Sequence, residues 1–295
     1  MTHVATLIAA SGALDPSAVE RARGTLPAAG APQRLGSDAA DIPFSAERGA
    51  DQRTLAESVR SLIGDGIDVV IQPSANRRKK LFLADMDSTM IGQECVDELA
   101  DYVGLKAHVS AITERAMRGE IAFEPALRER VALLKGLPVK TIGEVIAKRI
   151  TLTLGARTLV ATLRANGAFT CMVSGGFTLF TQPIAAMIGF DETRANTLAL
   201  DSGKLAGSVQ EPVFGRETKR ATLIDLRARL KLAKDETMAV GDGANDIDMI
   251  VEAGLGVAYH AKPKVTQAAA ARIDYADLTA LLYMQGYRRE QFVAA

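Results

Sequence analysis

Four apolar residues run straight into two acids in the stretch Leu81-Phe82-Leu83-Ala84-Asp85-Met86-Asp87-Ser88-Thr89. No other feature of the chain limits its fold as tightly. A short apolar run of this kind reads as a buried strand. Side chains alternate along a strand, so Asp85 and Asp87 point the same way while Met86 turns aside. Two carboxylates on one side repel, and holding them there requires a cation or a shared proton. In open α/β sheets, ligands sit at the carboxyl ends of the strands. The basic run Arg77-Arg78-Lys79-Lys80 just before reads as a solvated linker. Taken alone, Asp-x-Asp fits a strand that merely ends in a solvated turn, so the weight falls on what lies downstream.

At 295 residues the chain has room for two domains and a small inserted third. With 48% of residues hydrophobic and 35 charges of each sign, a substantial core is expected, and the balanced charge gives no footprint for nucleic acid. Cys95 and Cys171 make no disulfide framework, which suits a reducing cytosol, and neither starts a Cys-x5-Arg phosphatase loop. His3, His108 and His260 are too scattered for a His-rich metal site. There is no Walker A sequence and no Gly-x-Ser-x-Gly elbow. No apolar run is long enough for a bilayer, and the start lacks the basic character of a signal peptide. The expectation is a cytoplasmic enzyme with a small-molecule substrate and no nucleic-acid or membrane partner; a homodimer stays open.

Residues 1–76 read as a separate small α/β unit: a strand at Val4–Ala10, helices at Pro16–Leu26 and Asp51–Ile63, and a strand at Ile67–Gln72. Nothing there has catalytic spacing. From Gly92 to about Ile150 the pattern is helical, and helices inserted after the first strand of an α/β domain read as a cap over its active end. Within this cap Phe123, Leu127, Arg130, Val131 and Leu134 share a helix face. At about 100° per residue Arg130 falls near the middle of the apolar stripe. A guanidinium there needs an anionic partner. A salt bridge to Glu120 or another cap acid would serve; so would a substrate carboxylate, which matches the guanidinium fork. Glu94, near the start of the first cap helix, either complements the helix dipole or receives a substrate ammonium.

Past the cap, Phe169–Val173 reads as a second buried strand ending in Ser174-Gly175-Gly176, where small residues let backbone N–H groups approach an anion. Residues 196–214 read as a hairpin around Asp201-Ser202-Gly203-Lys204. Glu217-Thr218-Lys219-Arg220 opens a helix, and Lys219 in its first turn is a misfit with the dipole that a bound phosphate would turn into an attraction. Thr237–Val240 is a third strand, delivering Gly241-Asp242-Gly243-Ala244-Asn245-Asp246. Capping explains one of those last polar groups, but three in five residues suit a hard cation with oxygen ligands. Leu255–Tyr259 is a further strand, and helices at 264–272 and 278–286 close the chain.

The Asp85-Met86-Asp87-Ser88-Thr89 motif, Ser174-Gly175-Gly176, Lys219 and the Gly241–Asp246 loop together resemble the four signatures of the haloacid-dehalogenase-like phosphatases. Glu94 and the Phe123-x-x-Ala-Leu-x-x-Arg130-Val pattern resemble the substrate positions of the phosphoserine phosphatases within that family. Met86 departs from the Phe of many members, but faces away from the chemistry. The resemblance covers residues 85–246. It implies a Rossmann-like doubly wound parallel sheet at 77–92 and 155–295, with a helical cap at 93–154. It implies hydrolysis of phosphoserine, the last step of serine synthesis, with Asp85 as nucleophile and Asp87 as acid/base. Mg²⁺ would be held by Asp85, Asp242 and the Asp87 backbone carbonyl. Ser174, Gly175 and Lys219 would hold the phosphoryl group, Glu94 and Arg130 the ammonium and carboxylate, and Phe123 and Asn245 would shape the substrate site. Asp246 would secure Lys219 or a metal-bound water. The N-terminal unit occupies the position of an amino-acid-sensing-like domain. A relative acting on another small phosphomonoester, a phosphotransferase, and a non-catalytic phosphoaspartate module are the competing readings; the acid/base Asp87 argues against the last.

Overall fold

The computed structural model describes residues 1–47, 49 and 51–294. The N-terminal unit runs β1 (His3–Ala9), α1 (Pro16–Thr25), β2 (Gln33–Arg34), β3 (Ala39–Phe44), α2 (Gln52–Ile63) and β4 (Ile67–Pro73). Its antiparallel sheet has the order β2-β3-β1-β4. Both helices start on an aspartate, Asp15 and Asp51, whose carboxylate accepts the N–H two residues on. Leu7, Ile42, Phe44, Val19 and Val59 form this unit's own core. Ile8, Leu35, Ala39 and Val70 lie on the opposite sheet face and join the core of the rest of the chain.

The main sheet begins at β5 (Leu81–Ala84), and the chain then leaves it for four cap helices: α3 (Cys95–Asp101), α4 (Lys106–Met117), α5 (Phe123–Leu133) and α6 (Lys140–Arg149). It returns through α7 (Ala156–Ala165), β6 (Phe169–Phe177), α8 (Thr178–Ile188) and β7 (Glu192–Asn196), followed by the hairpin β8 (Leu198–Asp201) and β9 (Lys204–Val209). Then come α9 (Arg216–Arg229), β10 (Thr237–Gly241), α10 (Ile247–Glu252), β11 (Leu255–Tyr259), α11 (Pro263–Ala268), β12 (Ala271–Ile273) and α12 (Ala280–Met284). The sheet order is β12-β11-β10-β5-β6-β7, all parallel. Alternation along β5 feeds both faces: Leu81 and Leu83 pack with Leu223 and Leu226 of α9, while Phe82 and Ala84 join Leu159 and Leu163 of α7. Strands covered on both faces read as continuous apolar runs, which is why β5, β10 and β11 were the plainest in the sequence. This is the expected doubly wound α/β architecture with an inserted helical cap.

Three expectations need correction. The basic run is no solvated linker throughout: Arg77 pairs with Asp41 at 2.6 Å. Lys79 is buried, with its ammonium on the carbonyls of Asn76 and Asp235. The helix expected at 264–272 stops at Ala268, and the alanine-rich segment after it pairs with β11 as β12. The hairpin is shorter than 196–214, because Asn196 ends the edge strand β7 and uses its amide on Phe214 and Gly175. Strands β3 and β7 were missed. The hairpin is also bound to the cap: the Gly136 and Val139 N–H groups donate to the Leu205 and Gly203 carbonyls, and the Leu205 N–H to Leu137.

Candidate active site

The carboxyl ends of β5, β6 and β10 converge under the cap. Asp85 leaves β5 with one oxygen accepting the Met86 N–H at 2.7 Å and the Lys219 ammonium at 2.7 Å. Lys219, fully buried on α9, also donates to Asp246 at 2.7 Å. The second Asp246 oxygen accepts the Gly243 N–H at 3.1 Å, and Asp242 accepts the Thr89 hydroxyl at 2.9 Å. Asp246 caps the short turn leading into α10 by accepting the Gly243 N–H, so capping accounts for part of its role, but the Asn245 side-chain oxygen makes no such bond. A side chain at Gly241 would collide with the Asp246 carboxyl group.

Asp87 is held from two sides. One oxygen accepts the Cys95 N–H at 2.9 Å; the other accepts the Ser174 hydroxyl at 3.1 Å. Ser88 adopts a φ of 54° and donates to Glu94 at 2.7 Å. A non-glycine residue in that region is strained, and such strain clusters at functional sites. Glu94 sits at the N-cap of α3, where its charge complements the helix dipole, but it makes no side-chain capping bond. Arg130 is 2% exposed and forms no ion pair among the described residues. Glu120 instead pairs with Arg115 and Arg118, so the salt bridge weighed for Arg130 is absent. The guanidinium donates to the Ala126 carbonyl at 3.0 Å and the Thr113 hydroxyl at 2.9 Å.

One cavity is lined by Asp85, Asp87, Glu94, Arg130, Phe123, Gly175 and Asn245 together with apolar cap residues. It amounts to about 20 Å³, room for about one water. Phe123 of the cap closes on Gly175, where an added Cβ would meet its ring at 2.6 Å. The Asn245 side-chain oxygen is buried without a hydrogen-bond partner among the described residues. Of the residues singled out from the sequence, Asp85, Asp87, Glu94, Phe123, Arg130, Gly175 and Asn245 line this cavity. Ser174 and Lys219 bond to Asp87 and Asp85 respectively, and Asp242 and Asp246 gather beside Asp85. Sequence reading missed the supports: the Cys95 N–H, Thr89, Thr113 and Asp97. Thr89 alone carried a signal, by its place in the first motif.

Burial raises Asp85 well above the usual carboxylate range, the Asp246 charge adds to this, and Lys219 opposes it. Burial also raises Asp87 against its hydrogen bonds from Cys95 and Ser174. Asp242 is pushed up to about 7 by burial and Asp246. Glu94 is raised well above its ordinary value by burial, then by Asp87 and Asp242. Burial works against the Lys219 ammonium, but Asp246 and Asp85 outweigh it and keep it charged. Lys219, one buried cation, thus faces the four buried aspartates Asp85, Asp87, Asp242 and Asp246. Carboxylate oxygens of Asp85, Asp242 and Asp246 lie within 4.8 Å of one another; the Asp87 carboxylate is outside this group. Buried, all-oxygen and in excess of negative charge, the donor set fits a hard divalent cation.

The chain is similar to known proteins in sequence and in fold. Residues 82–250 match the haloacid dehalogenase-like hydrolase family. A phosphoserine phosphatase from Polaromonas sp. is 47% identical over 208 residues, 69% of this chain and 88% of that protein. A solved phospho-aspartyl intermediate analogue of phosphoserine phosphatase is 40% identical, with a TM-score of 0.67 over 70% of this chain and 98% of the other. A family hydrolase from Salmonella enterica serovar Typhi is 30% identical, with a TM-score of 0.83 over 96% of this chain and 98% of the other, so that likeness extends through the N-terminal unit. By its motifs, its fold and these relatives, the chain belongs to the haloacid dehalogenase-like hydrolases.

Proposed function

We propose that this enzyme hydrolyses O-phospho-L-serine to L-serine and phosphate through an aspartyl-phosphate on Asp85, the last step of serine biosynthesis. The observation that carries the reading is one cavity flanked by Asp85, Asp87, Glu94 and an Arg130 that has no ion pair among the described residues. A carboxylate and a guanidinium in one enclosure match the two charges of an amino acid, and the paired aspartates match a phosphoryl ester. The relatives named phosphoserine phosphatase support the same substrate.

In the first transfer an Asp85 oxygen attacks phosphorus in line, and the bond from phosphorus to the serine oxygen breaks. Asp87, whose carboxyl burial pushes toward the protonated form, gives that leaving oxygen its proton. In the second transfer Asp87 takes a proton from water as the water attacks phosphorus, and the bond to Asp85 breaks. Lys219, Ser174 and the Gly175 N–H hold the phosphoryl oxygens, so much of the catalysis is electrostatic positioning. Arg130 grips the carboxylate, Glu94 receives the ammonium, and Phe123 and Asn245 fit the remainder of the substrate. Asp246 fixes Lys219. Mg²⁺, held by Asp85, Asp242 and the Asp87 carbonyl, would neutralise charge on the phosphoryl oxygens when bound. A cavity sized for about one water requires the cap to lift for substrate entry. Once closed, the cap excludes bulk water from the first transfer.

The test is phosphate release across a substrate panel. O-phospho-L-serine is expected to be the fastest substrate, and EDTA to abolish its turnover until Mg²⁺ is restored. Faster release from phosphothreonine or a sugar phosphate would overturn the substrate assignment and leave the chemistry standing.

A further inference from the structure

Behind Arg130 lies a buried chain of groups that the mechanism does not use. Asp97 on α3, Thr113 on α4 and Arg130 on α5 are 9%, 3% and 2% exposed. The Thr113 hydroxyl donates to Asp97 at 2.6 Å and accepts from an Arg130 terminal nitrogen at 2.9 Å. The Val109 carbonyl, at 3.0 Å, is the other acceptor within reach of its single proton. The shorter bond to a charged carboxylate is the stronger of the two. Arg130 Nε is committed to the Ala126 carbonyl. Of the five guanidinium N–H donors, these two bonds use two, which leaves the outer part of the fork for a ligand.

An acid near a buried arginine normally pairs with it directly, through two parallel bonds. Here the threonine oxygen stands between them. The charge of Asp97 still offsets part of the cost of burying the guanidinium, after that of Glu94, but Asp97 does not occupy the fork. A direct pair would neutralise Arg130 and turn its donors away from the cavity.

Resting on the reading that Arg130 binds the substrate carboxylate, we propose that Thr113 and Asp97 are positioning residues. The Thr113 hydroxyl keeps Asp97 one hydrogen bond away from Arg130 and so reserves the guanidinium for substrate. Neither residue touches substrate, and their effect is confined to ligands that carry a carboxylate.

Thr113→Val removes the hydroxyl at nearly constant shape. It is expected to raise KM for O-phospho-L-serine about tenfold with kcat within about twofold. On O-phosphoethanolamine, which keeps the ammonium but lacks the carboxylate, kcat/KM is expected to stay within about twofold of the wild type. Thr113→Ser should restore the wild-type KM; Thr113→Ala, with the same expected split, replaces the valine variant if that fails to fold. Equal losses on both substrates, or no loss on either, overturn the proposal. Arg130→Ala separates this from the parent reading. If that variant loses phosphoserine selectively while Thr113→Val is inert, only the positioning role fails; if it loses both substrates equally, the carboxylate assignment itself fails.

Discussion

The core meets its two neighbours in opposite ways. Against the N-terminal unit the seam is built from buried polar bonds. The Asp68 carboxylate, 1% exposed, accepts N–H groups from Asp274, Tyr275 and Ala276 at 2.7, 3.2 and 2.8 Å. Gln72 donates to the Met284 carbonyl at 2.6 Å, and Arg77 joins Asp41 to the carbonyls of Tyr283 and Met284. Against the cap, the seam around the cavity is closed by half-exposed ion pairs: Lys262 with Glu114 at 3.1 Å and Arg128 with Glu211 at 2.7 Å. The cap enters and leaves through one strand-like crossing, where Ile91 bridges Leu152 and the Gly92 N–H donates to Thr151. Buried donors stripped of their acceptor cost about 1–3 kcal/mol each, whereas exposed ion pairs contribute about 0–1 kcal/mol. The N-terminal seam is therefore tied by buried polar bonds. The cap is held firmly on its hairpin side, by backbone bonds and a shared apolar core, and only by exposed pairs at the cavity mouth.

This contrast can be broken or sharpened by substitution. The largest effect is expected at the N-terminal seam. Asp68→Ala leaves three N–H groups without their acceptor and should cost about 2–4 kcal/mol, seen as a melting temperature lower by about 5–10 °C. A loss of less than about 1 kcal/mol would mean that this seam is no tighter than a surface contact. A much smaller effect is expected at the cap. The double variant Glu114→Gln with Arg128→Gln should melt within about 1–2 °C of the wild type. Its KM should lose part of the dependence on salt that exposed ion pairs confer. A melting temperature lowered as far as by Asp68→Ala would erase the distinction between the seams.

What the sequence disclosed follows the same division. Strands buried on both faces, such as Leu81–Ala84, and loops whose residues carry chemistry, such as Gly241–Asp246, were legible because their composition is local and unusual. The missed strands draw their stability from distant partners. In β3 the apolar pattern is broken by Asp41, whose charge is met by Arg77, and β7 is a polar edge strand. At β12, parallel pairing with β11 overrides the helix preference of an alanine-rich segment. Lys219 was noticed for a clash with its helix dipole, yet its two acids come from β5 and from the loop after β10. Arg130 stood out as a charge in an apolar stripe, whereas Thr113 and Asp97 are ordinary helix residues until three cap helices bring them together.

The central claim is that Asp85 carries the phosphoryl group between substrate and water. The most direct measurement is acid quenching of the enzyme during turnover of radiolabelled O-phospho-L-serine, followed by mapping of the labelled peptide. The account predicts label on the peptide holding Asp85, more of it in Asp87→Asn, and none in Asp85→Asn, which should be inactive. Label on another residue, or an Asp85→Asn variant that still releases phosphate at the wild-type rate, would contradict it.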